Sequence, residues 1–369
     1  MFDLNKLDQD LANNKNDQKT NLNLAIFVIF LFLCSQALEF LVLTGKNYKY
    51  ADLCRFDCAW YSSIIDRGYD QMPPELKTDK DQRNVAFFPV FPLIAKLIKF
   101  VFSINSSGIA LIITSRLFFL LSIFAFIKLA KKYTPQTSIL TSGLVVAFNP
   151  YSIYANSGYT ESLFLFLTCI CFCHLKEKKY LKCGILGAIL SATRIVGICF
   201  TASWAISSLK EFFRSNSKKK LQIFLGLSIS TLGLICFATF LHFHTQDYLA
   251  FIHINKAPGW NRNIGNPVAT ILNSNHLYFS MVAMLGFVTS IFFAIRKNYE
   301  LAIFSFLCTV IPLSAGLMSM PRFILFQAPV LLMIGSFGGK KLIYPLVFFF
   351  ICSTFFVYDF WFASNNVMT

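Results

Sequence analysis

Apolar runs separated by short polar loops recur along nearly the whole chain, at roughly 24–43, 85–102, 109–130, 138–154, 162–174, 181–209, 221–241, 277–295, 301–318, 323–337 and 342–362. A hydrocarbon core about 30 Å thick needs roughly 20 apolar residues per helix. Backbone polar groups in lipid must also be satisfied within the segment that carries them, so each run is expected to be a helix. The pattern predicts an all-α polytopic membrane protein with roughly ten transmembrane helices. A single transmembrane unit is expected over 24–362, after a polar tail at 1–23 and before a short tail at 363–369.

Basic loops set the expected orientation. Lys131 and Lys132, "KEKKYLK" at 176–182, "KEFFRSNSKKK" at 210–220, "RKNYE" at 296–300, and Lys340 with Lys341 read as cytoplasmic. That leaves the loop 44–84, the turn 156–161, the loop 242–276 and "MSMPR" at 318–322 on the other side. The crossings then fail to add up in two places. Residues 85–130 must cross an odd number of times, and the run 181–209 must leave the cytoplasm and return. Re-entrant, short or interfacial segments are expected there. In "AFFPVFP", Pro89 and Pro92 remove two backbone donors. In "GAILSATR", small residues at helix-packing spacing lead to an Arg where the chain should turn.

Composition agrees with a membrane protein: 56% of the 369 residues are hydrophobic and 43 are Phe. The net charge of +15 lies mainly in the short loops, so it is read as topology and nucleic acid is not expected as a partner. The long polar start lacks the short basic region of a cleaved signal peptide, and the first apolar run is expected to persist as a helix. Most of the 11 Cys fall within apolar runs, where they serve as small apolar fillers. Cys54 and Cys58 lie outside those runs; their spacing fits either one face of a helix or a disulfide. No zinc spacing appears, and neither metal nor cofactor is expected.

The unusual polar residues are expected to project to the side opposite the basic loops. In "RFDCAWYSSIIDRGYD", Asp57 shares a helical face with Trp60 and Tyr61. A partly buried carboxylate there can act as a general base; a solvated collar with an aromatic belt is the plainer alternative. Glu161 in "YTES" either sits near the positive end of a helix capped by Thr160 or Ser157, or serves a site. Arg194 in "TRIVG" falls within an apolar segment or at its end, which makes it a functional candidate. Arg322 in "MPRF" either snorkels or, with Arg194, holds an anionic head group. Trp260 and Arg262 belong to "HTQDYLAFIHINKAPGWNRN", readable as a surface helix with an aromatic anchor or as a flap over a sugar or head group. Walker, Rossmann, HExxH and GxSxG signatures are absent from the sequence.

Taken in order, "RFDCAWYSSIIDRGY", "NVAFFPVFPL", "NPYSIYANSGYTESLF", "LSATRIVG", "DYLAFIHINKAPGWNRN" and "SMPRFILFQAP" resemble the phosphatidylinositol-glycan class V mannosyltransferase family over roughly residues 50 to 335. The chain departs from that family in carrying "PGWNRN" for a Trp-Gly-Arg motif and Phe56 where Trp commonly precedes the Asp. The resemblance implies a C-type glycosyltransferase bundle that moves mannose from a polyprenyl-phosphate (dolichyl-like) donor to a hydroxyl of a lipid or glycan acceptor on the non-cytoplasmic side. On it, Asp57 is the base of an inverting displacement, Glu161 orients the acceptor or an arginine, and Arg194 and Arg322 stabilise the leaving phosphate. Compact length suits a bacterial homologue in the inner membrane; a eukaryotic one would sit in the ER membrane. The competing readings are a flippase for a lipid-linked glycan, which should show repeated halves and a path of polar residues through the bilayer, or a non-catalytic subunit of a glycosylation complex.

Overall fold

A computed structural model describes residues 4–12, 18–338 and 343–363. Lys340, Lys341 and most of the short tail 363–369 lie outside these. Among the described residues every regular element is helical. α1 (Leu4–Ala12) and α2 (Gln18–Gly45) precede a long loop with α3 (Asp57–Arg67) and 3₁₀ turns at Tyr50–Leu53, Asp79–Asp81 and Asn84–Ala86. Next come α4 (Val90–Val101), α5 (Ser107–Tyr133), α6 (Ile139–Ala147), α7 (Ser152–Asn156), α8 (Glu161–Lys176), α9 (Tyr180–Ser191), α10 (Ile198–Arg214) and α11 (Ser217–Thr245). A second long loop holds α12 (Ala250–His253), a 3₁₀ turn at Ile254–Lys256 and α13 (Pro267–Leu272). α14 (Leu277–Ile295), α15 (Tyr299–Ala315), α16 (Met320–Leu325), α17 (Ala328–Phe337) and α18 (Ile343–Ala363) complete the chain.

The protein is a multi-pass membrane protein, but the expected count of roughly ten crossings is wrong. Among the described residues 5 helices are long and apolar enough to span: α2, α5, α11, α14 and α18. The other apolar runs are broken or short. Residues 85–102 yield only the 12-residue α4, about 18 Å long at 1.5 Å per residue. Pro89 precedes that helix and Pro92 lies in its first turn, where the missing N–H costs nothing. The run 138–154 divides into α6 and α7, 181–209 into α9 and α10, and 323–337 is interrupted between α16 and α17. α8 is apolar because protein surrounds it: Leu163, Leu165, Cys169, Cys171 and Phe172 are all buried.

Helix termini follow from local chemistry. α5 starts where Ser106 Oγ accepts from Ile109 N (3.4 Å) and ends on Lys131 and Lys132, cations at the negative pole. α11 starts where Asn216 Oδ1 accepts from Lys219 N (3.0 Å). α5 and α8 run parallel: Gly158 N, just before α8, donates to Ser115 Oγ (3.1 Å), while Lys132 pairs with Glu177 (2.8 Å) beyond the other end. The lysines gather at those C-terminal ends, and Glu161, the first residue of α8, lies at the opposite end.

α9 and α11 pack backbone to backbone. A Cβ at Gly184 would come 2.6 Å from the carbonyl oxygen of Gly226, an approach open only to glycine. Gly184→Val is expected to cost about 1–3 kcal/mol by forcing these helices apart. The check is the thermal denaturation midpoint of the purified protein in detergent, against an exposed Ile185→Val control.

The first long loop is ordered by Asn84, which is fully buried. Its side chain donates to Ser63 Oγ (3.0 Å) and Gly68 O (2.9 Å) and accepts from Asp70 N (2.7 Å). These bonds tie the segment entering α4 to the far end of α3. Asp66 completes the attachment by accepting from Ser107 Oγ (2.5 Å) and Lys99 Nζ (3.1 Å). α3 is thereby fixed against the N-terminus of α5.

Candidate active site

Asp57 opens α3 under unusual local constraint. Cys54, just before the helix, is bridged to Cys58 in its first turn, so the five-residue segment is a closed ring. The disulfide alternative is the one adopted, because Cys54 lies outside the helix and the two do not share its face. Phe56, between them, sits at φ +50°, a region that costs a non-glycine residue energy and persists only where surroundings impose it. Tyr159 supplies part of that imposition: its hydroxyl accepts from Asp57 N (3.2 Å) and donates to Arg55 O (3.3 Å). Arg55 also donates to Trp361 O (3.0 Å) at the end of α18.

Four segments far apart in sequence bring their charges together here. Arg322 Nη1 donates to Asp57 Oδ2 (2.7 Å), and its Nε lies 3.9 Å from Glu161 Oε1. Arg194 Nη1 donates to Glu161 Oε1 (2.9 Å). Arg322 is 5% exposed and Glu161 3%, so both need their partners to be tolerated as ions. Aromatic rings carry the rest of the guanidinium surface. Arg322 lies 5.5 Å from the ring centre of Tyr154 and 5.6 Å from that of Tyr159; Arg194 lies 4.7 Å from Phe323. Arg194 reaches the site because the chain turns between α9 and α10, as expected. Glu161 Oε2 is buried and has no hydrogen-bond partner among the described residues.

These residues border a cavity of about 450 Å³. Tyr61, Trp260 and Arg262 also line it, together with Phe87, Phe164, Asn255 and Gln327. Tyr61 is buried against Phe87 and Phe91, at centroid distances of 5.0 and 5.3 Å. Burial, then the charge of Asp57, raises its phenol pKa, so it remains a neutral donor. Trp60 does not line the cavity. Its ring packs on Phe87 (6.1 Å) and Trp260 (5.6 Å), making it a support for the wall and for the second long loop.

Arg262 stands apart from the other two arginines. Its one side-chain hydrogen bond among the described residues is Nη2 to Ser319 Oγ (3.4 Å), and no carboxylate of those residues pairs with it. Burial, followed by the nearby Arg322, lowers its pKa; Asp57 acts in the opposite sense and Arg194 adds to the lowering.

Gln327 and the aromatic bed of Tyr154 and Tyr159 were not among the predicted site residues. Gln327 had a legible cue in Pro312. A proline inside α15 strips the Cys308 carbonyl of its helical donor, and Gln327 Nε2 supplies one (3.2 Å). Tyr154 and Tyr159 precede Glu161 in the chain, but nothing in their spacing marked them as supports for Arg322. The search for known relatives adds no identification: no family model and no curated protein matches the chain.

Proposed function

We propose that this protein is an inverting glycosyltransferase that moves a mannosyl or related residue from a polyprenyl-phosphate-linked sugar to a hydroxyl of a lipid or glycan acceptor, on the non-cytoplasmic side of the membrane. The single observation that carries the reading is the meeting of Asp57, Glu161, Arg194 and Arg322 in one cavity, with Glu161 at the end of α8 opposite the Lys132–Glu177 pair. All four are also the residues through which the sequence resembles the phosphatidylinositol-glycan class V mannosyltransferases, and membership of that group is part of the proposal.

In the proposed step, the acceptor hydroxyl gives its proton to Asp57 as its oxygen bonds to the anomeric carbon. The bond from that carbon to the phosphate oxygen breaks, and its electron pair stays on the phosphate. Arg322 occupies Oδ2 of Asp57; Oδ1 has no hydrogen bond among the described residues, and 21% of the side chain is exposed. Asp57 thus keeps one oxygen for the acceptor. Glu161, with Oε2 unpartnered, is suited to receive a sugar or acceptor hydroxyl while its other oxygen fixes Arg194. Positive charge fixed in the cavity stabilises the phosphate as it leaves.

The test is transfer of labelled mannose from a polyprenyl-phosphate donor in membranes with and without the protein, supplied with extracts of candidate acceptors. Transfer above the control membranes is expected. Absence of protein-dependent transfer with any extract, using protein shown to be folded, would count against the transferase reading.

A further inference from the structure

The cavity holds three guanidinium groups, Arg194, Arg262 and Arg322, against two carboxylates, Asp57 and Glu161. Arg194 and Arg322 are each bonded to a carboxylate, and the surplus positive charge therefore resides on Arg262. An unpaired guanidinium in a sheltered cavity is costly unless an anion joins it.

The backbone holds Arg262 in place. Its N–H donates to Asn255 O (2.9 Å), and Trp260 N and Asn261 N both donate to Ala257 O (2.9 and 2.8 Å). Asn261 adopts φ +45°, so the turn is tight. Trp260 anchors this turn by packing on Trp60 and Phe87 (5.6 and 6.1 Å). Beside it lies an apolar border, for Met318 adjoins Ser319, the residue that accepts from Arg262. Ile264, Ile311, Leu317 and Met318 line the cavity, and Ile264 and Met318 are also 71% and 48% exposed. This border runs from the charged interior to the outside of the molecule.

We propose that Arg262 is the seat of the phosphate in an ester that carries an apolar chain, and that the chain leaves the cavity past Ile264, Leu317 and Met318. Arg194 and Arg322, first expected to hold the phosphate, instead organise the two carboxylates. The assignment deepens the transferase reading and rests on it for the sugar, whereas the binding of the anion can be tested without any transfer.

Geranylgeranyl phosphate, geranylgeraniol and inorganic phosphate are titrated separately into the purified protein in detergent, with tryptophan fluorescence and the thermal midpoint as readouts. Geranylgeranyl phosphate is expected to bind, and the alcohol to bind at least about tenfold more weakly, since a charge-assisted bond is worth roughly 1.5–3 kcal/mol and 1.4 kcal/mol is tenfold. Arg262→Gln should lose a similar factor. Arg262→Lys, which keeps the charge but not the fork, should lie between. Asp57→Asn removes a negative charge from the same cavity and should bind the phosphate ester more tightly. Equal binding of the alcohol and the phosphate, or wild-type affinity in a folded Arg262→Gln, would overturn the anion seat. Inorganic phosphate binding as tightly as the lipid would overturn the apolar-chain part. Arg262-dependent binding without any sugar transfer would uphold the seat and count against the transferase reading alone.

Discussion

Asp57→Asn is expected to lower sugar transfer by about 10²–10⁴-fold, the range a general base contributes, with the protein still folded. Asn keeps an oxygen that can accept from Arg322, and the Cys54–Cys58 bridge with the Tyr159 bond to the Asp57 N–H holds the backbone independently of the side-chain charge. The change removes the negative charge, and with it the ability to take a proton, while keeping the shape of the side chain. Initial rates in reconstituted vesicles at saturating donor provide the measurement, with the thermal midpoint as the control for folding. A loss smaller than about threefold in a folded variant would reject Asp57 as the base, and Glu161→Gln would become the variant to examine. Even a complete loss needs one companion result: the variant should still bind the lipid phosphate, because Arg262 is untouched.

Charged residues were legible because they stand out in so apolar a chain. Asp57, Glu161, Arg194 and Arg322 each interrupt or border an apolar run, and all four line one cavity. Their pairing was not legible. Asp57 and Arg322 are 265 residues apart, and sequence offers no reason to join Asp57 to Arg322 and Glu161 to Arg194 in place of the reverse. The packing of Trp60 was not legible for a related reason. Helical spacing placed it near Asp57, but it did not reveal that Trp260 would arrive from another loop to claim its ring.

The crossing count shows a different limit. Hydrophobic runs identify helices that avoid water, without distinguishing lipid from surrounding protein. α8 is as apolar as a span, yet its sides are buried by neighbours; α4 is apolar but only about 18 Å long by the helical rise. The prolines in "AFFPVFP" and the arginine in "LSATR" did mark the two places where runs fail to cross as single helices. Local breakers could be read directly, whereas the sheathing of α8 depends on contacts made by helices elsewhere in the chain.

Arg322→Met is expected to destabilise the protein by about 3–5 kcal/mol, the scale for removing one partner of a buried ion pair. The side chain is 6% exposed and its guanidinium serves two carboxylates, with Asp57 at 2.7 Å and Glu161 at 3.9 Å. Without it Asp57 loses its ion-pair partner and Glu161 keeps only Arg194. Methionine retains an apolar side chain of useful length over the Tyr154 and Tyr159 rings, so the loss reports charge more than volume. Adding Asp57→Asn to Arg322→Met removes one of the orphaned carboxylates and should restore part of the loss, which simple additivity of two damaging changes would not do. Chemical denaturation of the four proteins in one detergent supplies the cycle. If the double variant is as unstable as the sum of the two single ones, Asp57 and Arg322 are not energetically coupled. Restoration of stability without restoration of transfer is the expected outcome, because the repaired cavity would hold its shape while lacking the oxygen that takes the proton.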